Sequence, residues 1–561
     1  MTYMKQNMKN IILSFLATFM LTGCSLEPVF YSSVTPDVYY DSPETIYSAL
    51  SRPFTHWRWF QTMDRWFLQE YTGDGICAPQ RYSHWEDGGQ WADLLHHTWT
   101  PDHTSISETW RGVGMGIAMA YGISEDLKSV DYVKCGLDEQ TKQSHIQQLN
   151  ALVAYFYLRG LDYFGGMPIY RGYSLEEVPR STARETFDFI EETLKTAIPS
   201  LVPYKKGDSQ DGFISQGAAA AMLAQLYFNA VSYIGEDRFE DCAVICRDLI
   251  DQKYGEYELE TVWNGPFDFE NEFSPENIWQ APSGNSKYQC SWFFTQSSPY
   301  NAAKYYDAPS VGAYNGFCLQ PSLNPKGEEY SWKMGRPFAK FHSADLRKKP
   351  YVYNGKKKYE GMFLMGMLKN PVTGEMCTGS YDYADEAIEL VDMIAPFKQL
   401  GKKYVDVDQL PSDIYSGEEN SGIRTAKYPT PNTAEQNYRW DPDWPVIRLA
   451  EIYYMLAECR FRSGNLKESA ELFNAVRKRN FSGSDPDPVT EGGLDKYRIL
   501  DEWQTEFLGE GRRRTDLIRW DVFTTEQWWD HNPSREEHLK LFPIPTTALS
   551  SSNMIKQNPG Y

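Results

Sequence analysis

Two adjacent amphipathic helices, predicted between Trp444 and Arg479, constrain the fold more than any other stretch of the sequence. Apolar residues recur at helical spacing on both sides of the break Ser463-Gly464-Asn465: Val446, Leu449, Ile452, Tyr453, Leu456 and Ala457 before it, and Leu466, Ala470, Leu472, Phe473 and Val476 after it. Pro445 stands where a helix can begin without losing a hydrogen bond. Large and small residues alternate at the spacing of a tetratricopeptide (TPR) unit, in which two helices pack closely.

A single unit of this kind cannot bury its own apolar face, so further units should stack against it. Two partial repeats are present: Leu223, Ala224 and Tyr227 followed by Phe239, Cys242, Cys246 and Leu249 in one, and Phe187, Ile190, Leu194 and Ala197 in the other. Any amphipathic helical pair matches so degenerate a pattern, and for each unit alone this alternative stays open. The three partial matches together favour a helical-repeat protein.

The helical pattern occupies two parts of the chain, about 41–255 and 444–520, and includes a helix from His145 to Phe164 that ends at Gly165. Between about 260 and 440 the pattern fails, and Gly, Pro, Asn, Tyr and Trp are frequent. We therefore predict a mostly α fold, a TPR-like helical-repeat scaffold with a large, irregular, loop-rich portion. Long irregular insertions of this kind normally carry function.

The N-terminal segment has the features of a bacterial lipoprotein signal. Lys5 and Lys9 precede an apolar run from Ile11 to Leu21, too short to span a bilayer, and Leu21-Thr22-Gly23-Cys24 follows. We predict that residues 1–23 are removed as a signal peptide and that Cys24 carries the lipid anchor of a body spanning 24–561. No later apolar stretch reaches spanning length, so the membrane contact should be through this lipid only.

Charge and motif spacing exclude several classes of protein. The formal net charge of −21 argues against binding to nucleic acid or to anionic lipid. The histidines at positions 84, 96, 97 and 103 match no zinc spacing, and Gly112-x-Gly114-x-Gly116 lacks the strand and final spacing of a dinucleotide turn. Cys242 and Cys246 are better explained as core thiols. We predict neither a metal nor a cofactor.

Aromatic residues make up 15% of the chain and are concentrated in two regions. In the first, between Asp64 and Trp110, Trp85, Trp91 and Trp99 alternate with polar residues; the second contains Tyr288, Trp292, Phe293, Tyr300, Tyr305, Tyr306 and Tyr314. Flat rings beside fixed polar groups suit carbohydrate, whose C–H face stacks on the ring while its hydroxyls take hydrogen bonds. The alternative is that buried tryptophans pin a loop-rich region.

Several segments together resemble the SusD/RagB family of nutrient-binding outer-membrane lipoproteins of Bacteroidetes. Besides the Cys24 motif they are DYFGGMP, PVIRLAEIYYMLAECRFRSGN, WQTEFLGEGRRRTDLIRW and the closing LFPIPTTALSSSNMIKQNPGY. The third segment matches a family pattern through Glu502, Glu506, Glu510, Gly511, Arg513, Asp516, Leu517, Arg519 and Trp520. From the residues alone we expect Glu510, Arg513, Asp516 and Arg519 to form a buried ion network rather than a catalytic site.

The resemblance implies four TPR units, a glycan ligand and a place on the outer membrane, lipid-anchored and facing the cell surface. It also implies a partner, a TonB-dependent β-barrel transporter (SusC-like) that the protein covers like a hinged lid. Family members place polar and aromatic glycan contacts in positions corresponding to the first aromatic region, and a further stacking ring in the second. The predicted ligand contacts are Asp74, Arg81, Trp85, Trp91, Tyr288, Trp292, Tyr305 and Tyr306.

Three functions are compatible with the sequence. The first is a non-catalytic surface glycan-binding protein. The second is a surface glycoside hydrolase, which needs an acid and a base such as Glu70, Asp74, Glu86 or Asp87 near the aromatics. The third is a peptide- or protein-binding helical-repeat lipoprotein. We favour the first.

The lipid anchor can be tested by Cys24→Ala. We expect the variant to leave the membrane fraction, because the sequence after Cys24 offers no other apolar anchor. The measurement is membrane fractionation after a high-salt wash, compared with the unaltered protein. A variant that still pellets with outer membrane contradicts the anchor at Cys24.

Overall fold

A computed structural model describes residues 39–283, 289–305, 313–355, 358–370, 373–381, 383–400, 407–429 and 442–561. Four predictions lie outside the described residues: the signal peptide, the lipid anchor at Cys24, and the ligand contacts Tyr288 and Tyr306. Within them, no helix has the length and apolarity needed to cross a membrane.

Helices dominate the described chain on both sides of the loop-rich portion. They are α1 Pro43–Phe60, α2 Asp64–Glu70, α3 Gln90–His96, α4 Thr104–Ser129, α5 Glu139–Phe164, α6 Ala183–Ala197, α7 Gln216–Phe228, α8 Ala230–Ile234, α9 Phe239–Ile250, α10 Gln289–Ser297, α11 Ala302–Tyr305, α12 Phe397–Leu400, α13 Leu449–Arg462, α14 Leu466–Arg477, α15 Lys496–Glu506, α16 Arg513–Arg519 and α17 Thr546–Ser551. Eight of them pack in the order α1, α4, α5, α6, α7, α9, α13, α14. This is the predicted TPR-like scaffold, with four helix pairs.

Local sequence fixes where these helices begin and end. Thr182 and Glu185 form a capping box at the start of α6, with the Glu185 amide donating to Thr182 Oγ1 at 3.1 Å. The Asn465 side chain accepts from the Glu468 amide at the start of α14. Gly464, at φ 83°, takes the left-handed conformation between α13 and α14. The predicted break between these two helices is therefore confirmed.

The predicted start of the first of these helices is wrong. Trp444–Arg448 forms a strand, β10, paired antiparallel with β2, Asn277–Ala281, and α13 begins only at Leu449. The side chain of Trp444 is buried and its ring stacks on Tyr428 at 4.4 Å between ring centroids. The strand pairing and this stacking are long-range contacts that override the helical spacing of the apolar residues.

The remaining strands of the described chain are short and form two-stranded antiparallel pairs. They are β1 Ile76–Cys77 with β3 Cys318–Leu319, β4 Val352–Gly355 with β5 Lys358–Glu360, β6 Phe363–Leu364 with β9 Arg424–Thr425, and β7 Gly366–Met367 with β8 Glu389–Leu390. The pair β2–β10 lies against the scaffold, because Trp279 of β2 stacks on Trp57 of α1 at 4.1 Å between ring centroids. One continuous core thus joins the helices to the loop-rich portion.

The glycine series in α4 has a packing explanation. A Cβ added to Gly116 would lie 2.3 Å from ring atoms of Phe156 in α5. The absence of a side chain therefore lets the two helices approach closely.

Cys242 and Cys246 are buried in α9 with their sulfur atoms 3.7 Å apart. Among the described residues, no group of three or more His, Cys, Asp or Glu is arranged to hold a metal ion.

Phe473 tests the repeat packing. Its side chain is fully buried and its ring contacts Tyr454 edge-on at 4.8 Å. We expect Phe473→Ala to lower the free energy of unfolding by about 3–5 kcal/mol, because it leaves a cavity between helices. Val244→Ala, on the exposed side of α9, is the control and should change it by less than about 0.5 kcal/mol. Equal stability of both variants in chemical denaturation contradicts this packing.

Candidate ligand-binding surface

Four aromatic rings from three separate loops meet at the surface of the loop-rich portion. The His84 ring lies 4.9 Å from that of Tyr381 and 5.7 Å from that of Tyr300, and Tyr381 lies 5.4 Å from Tyr300 and 6.0 Å from Tyr82, all between ring centroids. Tyr381 is 47% exposed. We call these four residues the aromatic surface.

A tight turn presents two of the rings. The amide of Arg81 donates to the carbonyl of His84 and the amide of His84 donates to the carbonyl of Arg81, both at 2.9 Å. Inside this turn Tyr82 has a φ of 58°, which non-glycine residues adopt rarely and which is a local strain. The Gln80 side chain donates to the Tyr82 carbonyl at 2.7 Å and helps to hold the turn.

Arg81, predicted to contact the ligand, is instead fully buried beneath the aromatic surface. Its guanidinium donates to three main-chain carbonyls, those of Asn315 at 2.7 Å, Glu418 at 2.5 Å and Gly316 at 3.2 Å. This corrects the prediction, because the side chain has no accessible surface for a ligand. Arg81 is a positioning residue that ties the turn carrying Tyr82 and His84 to the segments around Asn315 and Glu418.

Two buried glutamates fix the loop that carries Tyr381. Glu419 accepts hydrogen bonds from the amides of Ser380 at 2.9 Å and Tyr381 at 2.7 Å, and Glu418 accepts from the hydroxyl of Tyr383 at 2.5 Å. Since these carboxylates are buried and hydrogen-bonded, they act as supports. The main chain that carries the Tyr381 ring is thus fixed before a ligand binds.

A second buried arginine lies beside Arg81. Arg424 donates to the carbonyl of Ser297 at 2.9 Å, the carbonyl of Ser421 at 2.7 Å and the side-chain oxygen of Asn315 at 2.6 Å. Burial, together with the like charge of Arg81, lowers the pKa of Arg424 to about 9. The main-chain carbonyls around both guanidinium groups offset the cost of burying them.

The hydroxyl of Tyr300 is a polar group that the described residues leave unsatisfied. It is buried, and no described residue hydrogen-bonds to it. Burial raises the pKa of Tyr300 to about 12, so the phenol is protonated at neutral pH and available as a donor. A bound hydroxyl or water can accept from it.

Asp74, another predicted ligand contact, is a fully buried structural residue. Its carboxylate pairs with Arg513 at 2.6 Å and 3.1 Å and accepts from the Gly335 amide at 2.7 Å. Burial alone raises the pKa of a carboxyl group, but the Arg513 guanidinium outweighs it and holds the pKa of Asp74 at about 2. The prediction is corrected, because no ligand reaches this carboxylate.

The two tryptophans predicted as a stacking platform differ in environment. Trp91 is only 8% exposed, packs edge-on against Phe67 at 4.9 Å, and donates from Nε1 to Asp87 at 2.7 Å. Trp85 is half-buried, donates to the Tyr314 carbonyl at 2.8 Å, and lies so close to Gly316 that a Cβ there would be 2.1 Å from the indole. Trp91 therefore stabilises its loop by packing in the core, whereas Trp85 directly follows His84 of the aromatic surface in the sequence.

The second predicted aromatic group is divided: among its described members, Phe293 and Tyr305 are buried, Trp292 and Tyr300 are half-buried, and Tyr314 is 53% exposed. Tyr305 is 8% exposed, and its hydroxyl donates to the Tyr351 carbonyl at 2.7 Å, so the prediction of a ligand contact is corrected. Trp292 is half-buried, with its ring 5.4 Å from Trp66. The predicted list omitted all four rings of the aromatic surface. Their proximity results from loops far apart in the sequence. The local signals were the polar loop around Tyr82 and the second aromatic region, which contains Tyr300.

The carboxylates considered for hydrolysis are also accounted for. Glu70 is buried and accepts from the amides of Gly511 at 2.7 Å and Arg512 at 3.2 Å. Burial raises its pKa to about 7. Glu86 and Asp87 are exposed, and each is hydrogen-bonded within its own loop, to the Gly88 amide and the Trp91 indole respectively.

The C-terminal charged motif forms the predicted buried ion network. Arg519 pairs with Glu458 at 2.9 Å and with Asp516 at 2.9 Å, and all three are buried. Glu510 pairs with Arg448 at 2.8 Å, and Arg513 with Asp74. These pairs form three groups: Arg519 connects α16 to α13, Arg513 connects α16 to the loop before β1, and Glu510, which precedes α16, pairs with β10.

Comparisons with known proteins agree with this architecture. A model of the SusD family matches residues 275–561. The starch-binding protein SusD of Bacteroides thetaiotaomicron is 36% identical over 128 residues, which is 22% of this chain and 22% of that protein. The chain therefore aligns with about a fifth of the length of that curated relative.

Two solved structures share the fold across nearly the whole chain. A SusD-like protein from Bacteroides fragilis is 18% identical, with a TM-score of 0.65, covering 94% of this chain and 98% of the other. Surface glycan-binding protein A from Bacteroides uniformis is 18% identical, with a TM-score of 0.64, covering 92% and 99%.

The Asp74–Arg513 pair gives a prediction for stability. Asp74→Ala leaves a buried guanidinium without its carboxylate, and we expect a loss of about 3–5 kcal/mol in the free energy of unfolding. Because the folded-state pKa of about 2 lies below the ordinary value, the stabilisation is complete above the unfolded-state pKa and is lost as the pH falls through the folded-state value. The difference from the unaltered protein should therefore shrink in acid.

The measurement is chemical denaturation at neutral and at acidic pH. The exposed Asp102→Ala serves as the control and should match the unaltered protein at each pH. A loss that stays constant on acidification contradicts the charge pairing.

Proposed function

The chain belongs to the SusD family, and on this premise we propose that it is a non-catalytic glycan-binding lipoprotein of the outer-membrane surface. It captures an oligo- or polysaccharide at the aromatic surface and delivers it to a partner TonB-dependent transporter (SusC-like). The observation that carries this proposal is the group of four rings, Tyr82, His84, Tyr300 and Tyr381, held on anchored loops.

The chemistry of the aromatic surface suits a sugar. The exposed ring of Tyr381 and the half-buried rings beside it offer flat faces to the C–H groups of a pyranose. The loops are fixed from below through Arg81, Glu418 and Glu419, so a ligand does not have to order them on binding. Such a surface gives modest affinity, in about the micromolar to millimolar range, because many polar groups stay hydrated.

The names of similar proteins support the ligand class. One relative is a starch-binding protein and one structural neighbour is a surface glycan-binding protein. At 18% identity the neighbour supports the fold only, so the carbohydrate of this chain is a proposal that rests on its own rings.

The arrangement of carboxylates supports binding without hydrolysis. A glycosidase needs two carboxyl groups on either side of the scissile bond, at about 5–9.5 Å from each other. Of the four candidates, Glu70 and Asp74 are buried and bound to protein groups. Glu86 and Asp87 are exposed, but they are adjacent on one loop and each already accepts a hydrogen bond within it. Glu418 and Glu419, beneath the rings, hold loops. Anchoring at Cys24 and delivery to a transporter rest on the sequence motif and the family.

Tyr381→Ala tests the proposed ligand surface. The ring is 47% exposed, so its removal should leave the melting temperature nearly unchanged. We expect the affinity for the polysaccharide that binds the unaltered protein to fall by about tenfold or more, which corresponds to about 1.4 kcal/mol of lost stacking. An array of neutral and acidic polysaccharides identifies that ligand, and calorimetry measures the affinity.

The matched control is Tyr173→Ala, since this tyrosine is 56% exposed and lies outside the aromatic surface. It should bind like the unaltered protein. Unchanged affinity in Tyr381→Ala places the glycan elsewhere, and shortened chains after long incubation with the unaltered protein favour the hydrolase instead.

A further inference from the structure

A groove lies on the helical scaffold, away from the aromatic surface. It has a volume of about 850 Å³ and lies between α1, the first turns of α5 and the connection between α6 and α7. None of its lining residues belongs to the aromatic surface. Its volume is in the range of pockets that hold small organic ligands, about 300–1,000 Å³. We call it the scaffold groove.

The wall formed by the connection, residues 199–215, is fixed by hydrogen bonds to neighbouring segments. The Gln210 amide donates to the carbonyl of Glu272 at 3.1 Å, the Glu256 amide to that of Tyr204 at 3.0 Å, and the Gln216 amide to that of Val202 at 2.9 Å. The opposite wall consists of helices. The scaffold groove is therefore already formed without a ligand, which lowers the entropy cost of binding.

Both apolar faces and hydrogen-bonding groups line the scaffold groove. Tyr47 is 42% exposed and its ring packs edge-on against His145 at 5.2 Å, while Phe213 contributes a half-buried ring. Gln143 and Gln148 contribute amides, and the buried Oε1 atom of Gln148 has no hydrogen-bond partner among the described residues. An unsatisfied buried acceptor beside exposed rings favours a ligand that brings its own donors.

The charge of the groove selects against anions. No lysine or arginine is found among its described lining residues, whereas Asp208 is, together with two hydrogen-bonded aspartates, Asp138 and Asp211. Each of these two carboxylates accepts one amide, from Thr141 at 2.7 Å and from Phe213 at 3.0 Å, and keeps further acceptor capacity. Burial lowers the pKa of His145, so its imidazole is neutral at neutral pH. A neutral ligand rich in hydroxyl donors fits this set.

We propose that the scaffold groove is a second carbohydrate site, which binds a neutral oligosaccharide segment independently of the aromatic surface. Its ligand class rests on the proposed function, and its location rests on the groove itself. A peptide fits less well, because the described lining offers neither the edge of a sheet for an added strand nor an arginine cluster for an acidic motif. Helices and an irregular connection form these walls, and they present hydroxyl, amide and carboxylate side chains beside the apolar ones.

The test counts bound sugar molecules by native mass spectrometry of the mature chain with maltohexaose, laminarihexaose, cellohexaose and mannohexaose. With the sugar that binds, we expect two molecules per unaltered chain, and one after either Tyr47→Ala or Tyr381→Ala. Gln148→Leu removes the amide at similar volume, and should weaken the scaffold site by about tenfold through its lost hydrogen bonds. Tyr173→Ala is the control and should keep two.

The outcomes separate the two proposals. One bound molecule, lost in Tyr381→Ala and retained in Tyr47→Ala and Gln148→Leu, overturns the scaffold site and leaves the proposed function intact. One bound molecule lost only in Tyr47→Ala keeps the scaffold site and removes the aromatic surface. No bound sugar overturns both proposals. Oligolysine that binds in place of any sugar, and is lost in Tyr47→Ala but kept in Tyr173→Ala, assigns the groove to cationic peptides.

Discussion

A buried cluster of charges around Arg448 determines how the parts of this protein are joined. Arg448, at the end of β10, is 1% exposed and pairs with Glu276 at 2.8 Å, Glu506 at 3.1 Å and Glu510 at 2.8 Å; Arg479, after α14, pairs with Glu506 at 2.7 Å. Burying each ion costs several kcal/mol, so the cluster adds little net stability. It specifies one arrangement, because any other leaves a buried charge unpaired.

The same cluster extends from the scaffold into the loop-rich portion. Arg347 pairs with Glu506 at 3.0 Å, and Lys427, whose pKa burial lowers to about 8, donates to the carbonyl of Glu506 at 2.8 Å. Lys427 closely follows Arg424 of β9, and Arg424 lies with Arg81 beneath the aromatic surface. Lys427 and Arg424, two buried cations close together in the sequence, thus connect the helical repeats to the loops that carry the rings.

Sequence reasoning succeeded where the decisive contacts are local. The apolar spacing in α14 and the break at Gly464 depend on neighbours within a few turns, so pattern alone predicted them. It failed where distant partners decide. Trp444–Arg448 forms a strand because β2 pairs with it. Asp74 can be buried because it pairs with Arg513, and Arg81 because it donates to the Asn315 carbonyl. Composition cannot distinguish such ions from ligand contacts.

The aromatic surface is supported by hydrogen bonds to main-chain atoms, which are the same whatever the residue type. Arg81 binds the main-chain carbonyls of Asn315, Gly316 and Glu418, which any residues at those positions would offer, and Glu419 binds main-chain amides of the loop that carries Tyr381. These hydrogen bonds therefore fix the main-chain conformation of the loops but do not restrict which side chains the loops carry. For this reason the scaffold pattern identifies the family, whereas the rings of the aromatic surface are not constrained by the scaffold.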